Sequence, residues 1–173
     1  GGKTFYAKWV EKAILGFDYI VDDVANTLTL KVTLTKIPED LNNIGALTIP
    51  IVRTPADGLT LKSVNSTFSG AMGNSEIISW HNIGLITNAV LEDKDNVLFE
   101  LVYDIDTTYS GTINFSFGND TEIGTIEGGN DVVSKKYRKA TKSLILSGGV
   151  VTPEQHNITF NGNVYPVEDG KVL

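Results

Sequence analysis

The chain has 173 residues, of which 41% are hydrophobic and 20% are charged, and these proportions are typical of a globular domain with a buried core. Its formal net charge of -7 argues against nucleic acid or an anionic membrane as a partner, because either requires basic patches; the basic cluster at 135–142 is interpreted as a solvated loop or short helix. Cysteine is absent, which excludes disulfide bonds, thiolate zinc sites and cysteine nucleophiles, and no apolar stretch approaches the roughly 18 residues that insert across a bilayer.

Nearly the whole chain has the pattern of β-strands. Val, Ile, Thr and aromatic residues fill short runs that Gly, Asn, Asp and Pro separate. The run 27–36 alternates leucine or valine with threonine or lysine, so one face is expected to be buried and the other solvated. Without a long helical period, this succession predicts an all-β fold, a two-sheet β-sandwich, with a short helix possible near 133–141. The expected strands are 13–20, 27–36, 44–53, 58–67, 76–80, 83–88, 96–105, 111–118 and 143–151.

The pattern of two adjacent strands, 96–105 and 111–118, predicts that they form structural framework and not a catalytic centre. Their apolar residues recur at period two, and no inward position carries a histidine, a lysine or an unexplained acid. We expect seven side chains to point into the core: Val97, Phe99, Leu101, Tyr103, Ile113, Phe115 and Phe117.

The two ends of the chain differ from its middle. The segment "KTFYAKW" near the start resembles the closing strand of a Listeria–Bacteroides repeat, a short tandem module of Gram-positive surface proteins. Near the other end, Asn161-Gly162 lies between two short apolar runs and predicts a two-residue hairpin. We therefore expect three parts: 1–12 as a remnant of a preceding repeat module or linker, 13–152 as the sandwich, and 153–173 as a C-terminal hairpin or the start of another module.

The body of the chain resembles a cohesin domain, the module that receives dockerins in cellulosomes. Segment 26–64 is similar to the second to fourth strands of that family, 95–117 ("DNVLFELVYDIDTTYSGTINFSF") to its late strand pair, and 146–152 ("LSGGVVT") to its closing strand. The resemblance implies a jelly roll of about nine strands. It also implies a non-catalytic module of an extracellular or cell-surface protein of a Gram-positive-type bacterium, with roles in adhesion or polysaccharide degradation.

The resemblance places a partner-binding surface on one face of the sandwich. This face is built from 44–53, 76–80 and 111–118, with 69–76 at its border. Many dockerin-binding cohesins have an Asn-x-Asp pair at the positions that Ala46 and Thr48 occupy here. Small and polar side chains would form a shallow platform that suits a helix pair or another flat protein surface. The residues expected to face outward on it are Ala46, Thr48, Asn74, Glu76, Asn114 and Ser116.

Residues with catalytic or metal-binding chemistry are few. His81 and His156 are far apart in sequence and form no metal or triad motif, so we expect no catalytic residue, no metal ligand and no cofactor. The acidic segments 92–96 and 104–108 resemble half of a calcium loop but lack its D-x-D-x-D-G run. We therefore expect them to be solvated turns. A glycosidase is disfavoured because no acid/base pair is marked by the sequence.

A glycan is the alternative partner. Trp80 and Tyr109 stand near predicted strand ends, where aromatic faces can stack on sugars in a carbohydrate-binding or adhesive module. Trp80 can equally fill the core, because it alternates with Ile78. The partner is thus expected to be a dockerin-like protein module or a glycan, with the isolated domain a monomer.

Overall fold

The computed structural model describes residues 13–36, 43–66, 75–81, 89–90, 96–127, 131–134, 137–152, 155–160 and 163–168. These residues form β-strands joined by turns, with no helix among them. The strands are β1 (Ala13–Asp22), β2 (Thr27–Thr35), β3 (Asn43–Thr54), β4 (Leu59–Ser66), β5 (Ile77–His81), β6 (Ala89–Val90), β7 (Asn96–Ile105), β8 (Gly111–Phe117), β9 (Glu122–Glu127), β10 (Asp131–Ser134), β11 (Tyr137–Lys139), β12 (Lys142–Ser147), β13 (Val150–Thr152), β14 (Gln155–Phe160) and β15 (Asn163–Glu168).

Two sheets pack face to face, which confirms the predicted two-sheet sandwich. The smaller sheet has the strand order β11-β1-β2-β7-β4, and only its β1–β11 pair is parallel. The larger sheet has the order β10-β9-β3-β8-β12-β13, with β5 and β6 also paired to β3. A buried apolar cluster drawn from both sheets fills the space between them.

Strand β3 is the centre of the larger sheet. On one side its first half pairs with β9 and its second half with β8. On the other side it pairs with β6 and then with β5. One long strand therefore brings β5, β8 and β9 onto one continuous surface.

Aromatic side chains join the two sheets inside the core. Phe17 of β1 stacks on Phe117 of β8, with ring centroids 4.1 Å apart and nearly parallel planes. Phe115 of β8 lies between Phe17 and Tyr103, with both centroid separations at 6.1 Å. Such offset and tilted pairs add to the stabilisation from buried area.

Six of the seven side chains expected in the core from β7 and β8 are buried, and Val97 is only half-buried. The β2–β7 ladder pairs Val32 with Phe99 but Thr33 with Val97, so Leu98 is an extra residue in a β-bulge. The bulge turns Leu98 into the core, where it is fully buried. Strict alternation in the sequence could not indicate this shift.

The expected short helix near 133–141 is wrong. Residues 131–134 form β10, which pairs with β9, and 137–139 form β11, which pairs with β1. Tyr137 donates its hydroxyl hydrogen bond to the carbonyl of Thr121, and the Lys139 ammonium donates to the carbonyl of Gly118. These tertiary bonds hold the segment extended between the two sheets, which overrides its local propensity.

The strand count also exceeds the expected nine, because the stretch after β8 folds into several short strands. The segment "LSGGVVT" forms two of them: β12 and β13 make a hairpin around Gly148 and Gly149. Strands β14 and β15 form a separate two-stranded antiparallel sheet in which Phe160 lies opposite Asn163. Within the described ranges, no helix has the length and apolarity needed to cross a membrane.

Candidate functional site

The outward surface of the smaller sheet is charged. Asp18, Lys31 and Glu100 occupy one cross-strand row, and Lys62 forms an exposed ion pair with Asp104 at 3.1 Å. Exposed charges of this kind keep a surface hydrated and contribute little to stability. Ile20 of β1 is 54% exposed on the same face, which otherwise has the character of solvated protein surface.

The outward surface of the larger sheet is different. We call it the outer face and define it by the residues of β3, β5, β8, β9 and β12 that alternate with the buried ones. Among the positions whose side chains the structure describes, Glu122 is the only charged residue. The outer face comprises Ala46, Thr48, Pro50, Val52, Thr54, Ile77, Ser79, Thr112, Asn114, Ser116, Glu122, Ser143 and Ile145.

Three residues form an exposed apolar strip across its middle. Pro50 of β3 lies opposite Ile77 of β5, and Val52 follows two residues along β3 on the same face. Ile77 is 57% exposed and Val52 is 42% exposed. Opposed residues in a ladder lie about 5 Å apart at their Cβ atoms, so Ile77, Pro50 and Val52 form one patch, here named the apolar strip.

The rest of the outer face is mostly polar and consists largely of short side chains. Asn114 lies opposite Thr54, and its Oδ1 accepts a hydrogen bond of 2.8 Å from the Ser143 hydroxyl. One row further along β12, Ile145 is a further exposed apolar residue. The surface therefore offers short side chains with hydrogen-bonding groups around an apolar centre.

Four of the six residues expected on the binding face lie on the outer face. Ala46 and Thr48 are half-buried on β3, and Thr48 lies between Ser79 and Glu122 in neighbouring strands. Asn114 and Ser116 lie on β8, with Ser116 directly opposite Val52. Asn74 lies outside the described residues.

Glu76 does not face outward as expected. Its Oε1 atom accepts hydrogen bonds from Arg53 Nε at 3.0 Å and from the Tyr103 hydroxyl at 2.9 Å. Tyr103 is completely buried and belongs to the smaller sheet, whereas Arg53 belongs to β3. Burial raises the pKa of Tyr103 far above its ordinary value, and the nearby Glu76 carboxylate raises it further. Glu76 is thus part of an inter-sheet cluster.

The two candidate sugar-stacking residues are placed differently from each other. The ring of Tyr109 packs over Gly58 and Gly111, close enough that a Cβ atom on Gly58 would lie 2.5 Å from Tyr109 Cδ1, and against the core. Trp80 pairs with Leu47 in the β3–β5 ladder, and its side chain lies outside the described part of the structure. Tyr109 therefore contributes to packing at the end of the sandwich.

The acidic segment 104–108 forms a turn. Asp104 binds Lys62, and Asp106 Oδ1 accepts hydrogen bonds from the Thr108 hydroxyl and main-chain N–H at 2.7 and 2.8 Å. These bonds lower the pKa of the Asp106 carboxyl, the hydroxyl having the larger effect. Residues 92–95 lie outside the described ranges, as do the side chains of His81 and His156. Over the part of the chain that can be described, no group of three acidic or histidine residues could hold a metal ion.

The apolar strip was not predicted from the sequence. Ile77 and Ile78 are adjacent, and in an extended strand only one of them can face the core. The β3 segment "IPIV" likewise places Val52 after two buried isoleucines, Ile49 and Ile51. Such consecutive apolar residues were the available signal, but the sheet register decides which residue is exposed.

The fold is that of cohesin modules. The seventh type I cohesin of ScaB from Pseudobacteroides cellulosolvens is similar to this chain with a TM-score of 0.60 at 13% identity, covering 86% of this chain and 99% of its own. The sixth cohesin of scaffoldin B from Acetivibrio cellulolyticus, solved with a dockerin, has a TM-score of 0.55 at 15% identity, with 76% and 97% covered. A cohesin–dockerin complex from Clostridium thermocellum has a TM-score of 0.55 at 13% identity, with 76% and 97% covered. No protein-family model matches the sequence, and no curated protein matches it either.

Proposed function

We propose that this protein is a non-catalytic, cohesin-like module that binds a dockerin-like protein through the outer face. The observation that carries the proposal is the contrast between the two sheets. The smaller sheet exposes a charged row, an ion pair and the single apolar side chain of Ile20, whereas the outer face has one charged side chain among its described positions and an exposed apolar strip. Depletion of charge around an apolar centre is characteristic of the cores of protein interfaces.

The dimensions of the outer face favour a pair of helices as the bound element. Strands lie about 4.8 Å apart, so β5, β3, β8 and β12 with their side chains cover a width of roughly 20 Å. An α-helix with side chains is about 10 Å across, so two helices fit side by side. The length of β3 at about 3.3 Å per residue gives an area near the roughly 800 Å² that each partner buries in a standard interface.

The chemistry of the outer face also favours protein over sugar. Sugar sites depend on aromatic faces, and Tyr109, one of the two aromatic candidates, packs against Gly58 and Gly111. The short side chains at Thr48 and Ser116 leave room for backbone approach, and the apolar strip supplies area to bury. A helical partner therefore uses apolar anchors against Ile77 and Val52.

The cohesin fold also suggests the setting of this module. We infer an extracellular or surface location in a multi-module protein of a Gram-positive-type bacterium. In that arrangement 1–12 belongs to a preceding repeat or linker and 153–173 to a hairpin or a following module. Immunodetection of the full-length protein on intact cells, before and after surface proteolysis, tests this location.

The binding proposal is tested by blocking the outer face. Proteins secreted by the source organism are passed over the immobilised chain and over Thr48→Arg and Ser116→Arg variants. Both substitutions place a long charged side chain on the outer face, so a captured partner is expected to be lost. Thr29→Arg, on the outward surface of the smaller sheet, is the matched control and should retain the partner.

Two results would contradict the proposal. The first is a protein partner retained by the two outer-face variants but lost from Thr29→Arg. The second is recovery of a glycan alone, with binding that Trp80→Ala removes while Thr48→Arg and Ser116→Arg leave it unchanged. The second outcome would identify a carbohydrate-binding module.

A further inference from the structure

The two isoleucines that open β5 do not by themselves determine its register, although Trp80 alternates with Ile78 and so favours the same face for both. Ile77 and Ile78 are neighbours with the same side chain, and in a strand they must point to opposite faces. A slip of one residue exchanges every side chain between the core and the solvent face. In the structure Ile78 is buried opposite Ile49, while Ile77 is exposed opposite Pro50. Something outside this pair selects which isoleucine the outer face presents.

Glu76, immediately before β5, is tied at two points. Its main-chain carbonyl accepts a 2.7 Å hydrogen bond from the N–H of Ile51 in β3. Its carboxylate accepts from Arg53 at 3.0 Å and from the Tyr103 hydroxyl at 2.9 Å. Because side chains alternate along an extended chain, an inward Glu76 carboxylate places the side chain of Ile77 outward.

The partners of Glu76 are themselves held in place by the core. Arg53 lies opposite Phe115 in the β3–β8 ladder, and only 10% of its side chain is exposed. Its guanidinium lies 5.5 Å from the centre of the Tyr103 ring and also donates to the carbonyl of Ala56. Tyr103 belongs to β7 of the opposite sheet. The carboxylate is therefore positioned relative to both sheets at once.

We propose that Glu76 is a positioning residue that fixes the register of β5 through Arg53 and Tyr103 and so selects Ile77, not Ile78, as the apolar group on the outer face. If β5 slipped by one residue, the Glu76 carboxylate would turn away and leave the partly buried Arg53 without its ionic partner, which is costly. The role in β5 register stands by itself, and its consequence for partner specificity rests on the proposed function. The two parts can therefore fail separately.

The absence of cysteine makes thiol labelling a direct test. Ile77→Cys and Ile78→Cys are made separately, each with Glu76 intact and with Glu76→Ala, and their rates of reaction with a small disulfide reagent are measured. With Glu76 intact, Ile77→Cys should react about a hundredfold faster than Ile78→Cys, because a buried thiol reacts only on local opening. With Glu76→Ala, the Ile77→Cys rate should fall, the Ile78→Cys rate should rise, and their ratio should shrink at least about tenfold.

A matched pair on β12 separates a change of register from general loosening. Ile145 is exposed and Leu146 is buried, and neither lies in the Glu76 cluster. The rates for Ile145→Cys and Leu146→Cys should be unchanged by Glu76→Ala. The proposal is overturned if the Ile77→Cys rate does not fall, or if Ile78→Cys and Leu146→Cys accelerate together.

A milder variant covers the case in which Glu76→Ala does not fold. Arg53→Lys keeps the positive charge but removes the Nε donor that binds Glu76. The ratio of Ile77→Cys to Ile78→Cys rates should then narrow severalfold, with the β12 pair unchanged. An unaltered ratio in Arg53→Lys contradicts the proposal. If the ratio of labelling rates changes as expected but the variant still binds its partner, the role of Glu76 in β5 register stands and only its link to binding is refuted.

Discussion

At the scale of single residues, the Tyr103 hydroxyl is a polar group buried inside the core. The tyrosine is fully buried, and its only hydrogen bond in the described structure goes to Glu76 Oε1. A buried hydroxyl without a partner costs about 1–3 kcal/mol, so the placement of Glu76 is needed for this tyrosine to be tolerated. The same contact gives the protein a specific response to alkaline pH.

We predict that stability falls above pH 10 and that Tyr103→Phe makes this fall shallower. Burial and Glu76 raise the pKa of Tyr103 above its ordinary 10.0, and burial and Glu122 raise the pKa of Tyr137 to about 12. Above pH 10 the unfolded chain loses these protons while the folded chain keeps them. A raised tyrosine pKa in the folded state therefore stabilises the folded protein below pH 10. Above pH 10 this stabilisation decreases by up to about 1.4 kcal/mol per pH unit for a buried tyrosine.

Urea unfolding between pH 8 and 11.5 measures this effect. At pH 8, Tyr103→Phe should lower the free energy of unfolding by about 1 kcal/mol, because the variant lacks the hydrogen bond to Glu76. This difference in stability between variant and parent should narrow as pH rises. Tyr137→Phe is the comparison, with its smaller effect confined below about pH 12. Parallel pH curves for Tyr103→Phe and the parent would show that Tyr103 ionises alike in both states.

At the scale of elements, the bulge in β7 determines which residues enter the core. The extra residue in the β2–β7 ladder allows Leu98 and Phe99, two consecutive residues, both to be fully buried. Regular pairing would have exposed one of them. The bulge therefore increases the apolar area that a strand of this length contributes.

We predict that Leu98→Ala lowers the free energy of unfolding by about 2–5 kcal/mol, as expected for truncation of a buried leucine. Val97→Ala is the matched control, since Val97 is half-buried and should cost only about 1 kcal/mol. Chemical denaturation of both variants is the measurement. A larger loss for Val97→Ala than for Leu98→Ala would mean that β7 is regular and that Val97 is the core residue.

Three turns meet at one end of the sandwich. Gly149 N–H donates to the carbonyl of Tyr109 at 2.8 Å, and Gly148 N–H donates to the Ser110 hydroxyl at 2.8 Å. Tyr109 packs over Gly58 in the β3–β4 turn. These contacts join the β12–β13 turn to the β7–β8 turn, so the glycines there are required for close approach as well as for backbone conformation.

We predict a difference between alanine substitutions at the two neighbouring glycines. Both have positive φ, at 56° for Gly148 and 75° for Gly149, so alanine costs about 1–2 kcal/mol at either. A Cβ at Gly148 meets nothing within 4 Å, whereas a Cβ at Gly149 would lie 2.3 Å from Thr107 Cα. Gly149→Ala should therefore cost about 1–3 kcal/mol more than Gly148→Ala in thermal unfolding. Equal losses would show that the two turns are not in contact.

At the scale of the whole molecule, the C-terminal strands are separate from the sandwich in hydrogen bonding. Within the described residues, β14 and β15 pair only with each other. The two large sheets and the core cluster come from residues between Ala13 and Thr152. This arrangement supports the proposed module boundary at 152.

We predict that a chain of residues 13–152 unfolds in one cooperative transition. Its melting temperature should differ from that of the full chain by less than about 3 °C, equivalent to about 1 kcal/mol for a domain of this size. Differential scanning calorimetry of both chains is the measurement, and a second truncation after residue 140, which removes β12 and β13, is the control expected to abolish folding. A large loss of stability on removing 153–173 would place those strands within the sandwich.

The sequence by itself determined the fold class and most of the core. Period-two alternation is a local property, so it identified β2, β7 and β8 and the inward side chains of Phe99, Phe115 and their neighbours. These inferences need only the distance along one chain at which side chains repeat. The face of small and polar residues around Thr48 and Ser116 was implied instead by the resemblance to cohesins.

The tertiary structure alone decided the features that depend on contacts between strands. The bulge at Leu98, the extended path of β11 and the inward turn of Glu76 each require a partner that is distant in sequence. Exposure of Ile77 rather than Ile78 depends on register, and adjacent identical residues contain no information about register. The apolar centre of the outer face therefore follows from how β5 pairs with β3, because pairing decides which of two equivalent side chains meets the solvent.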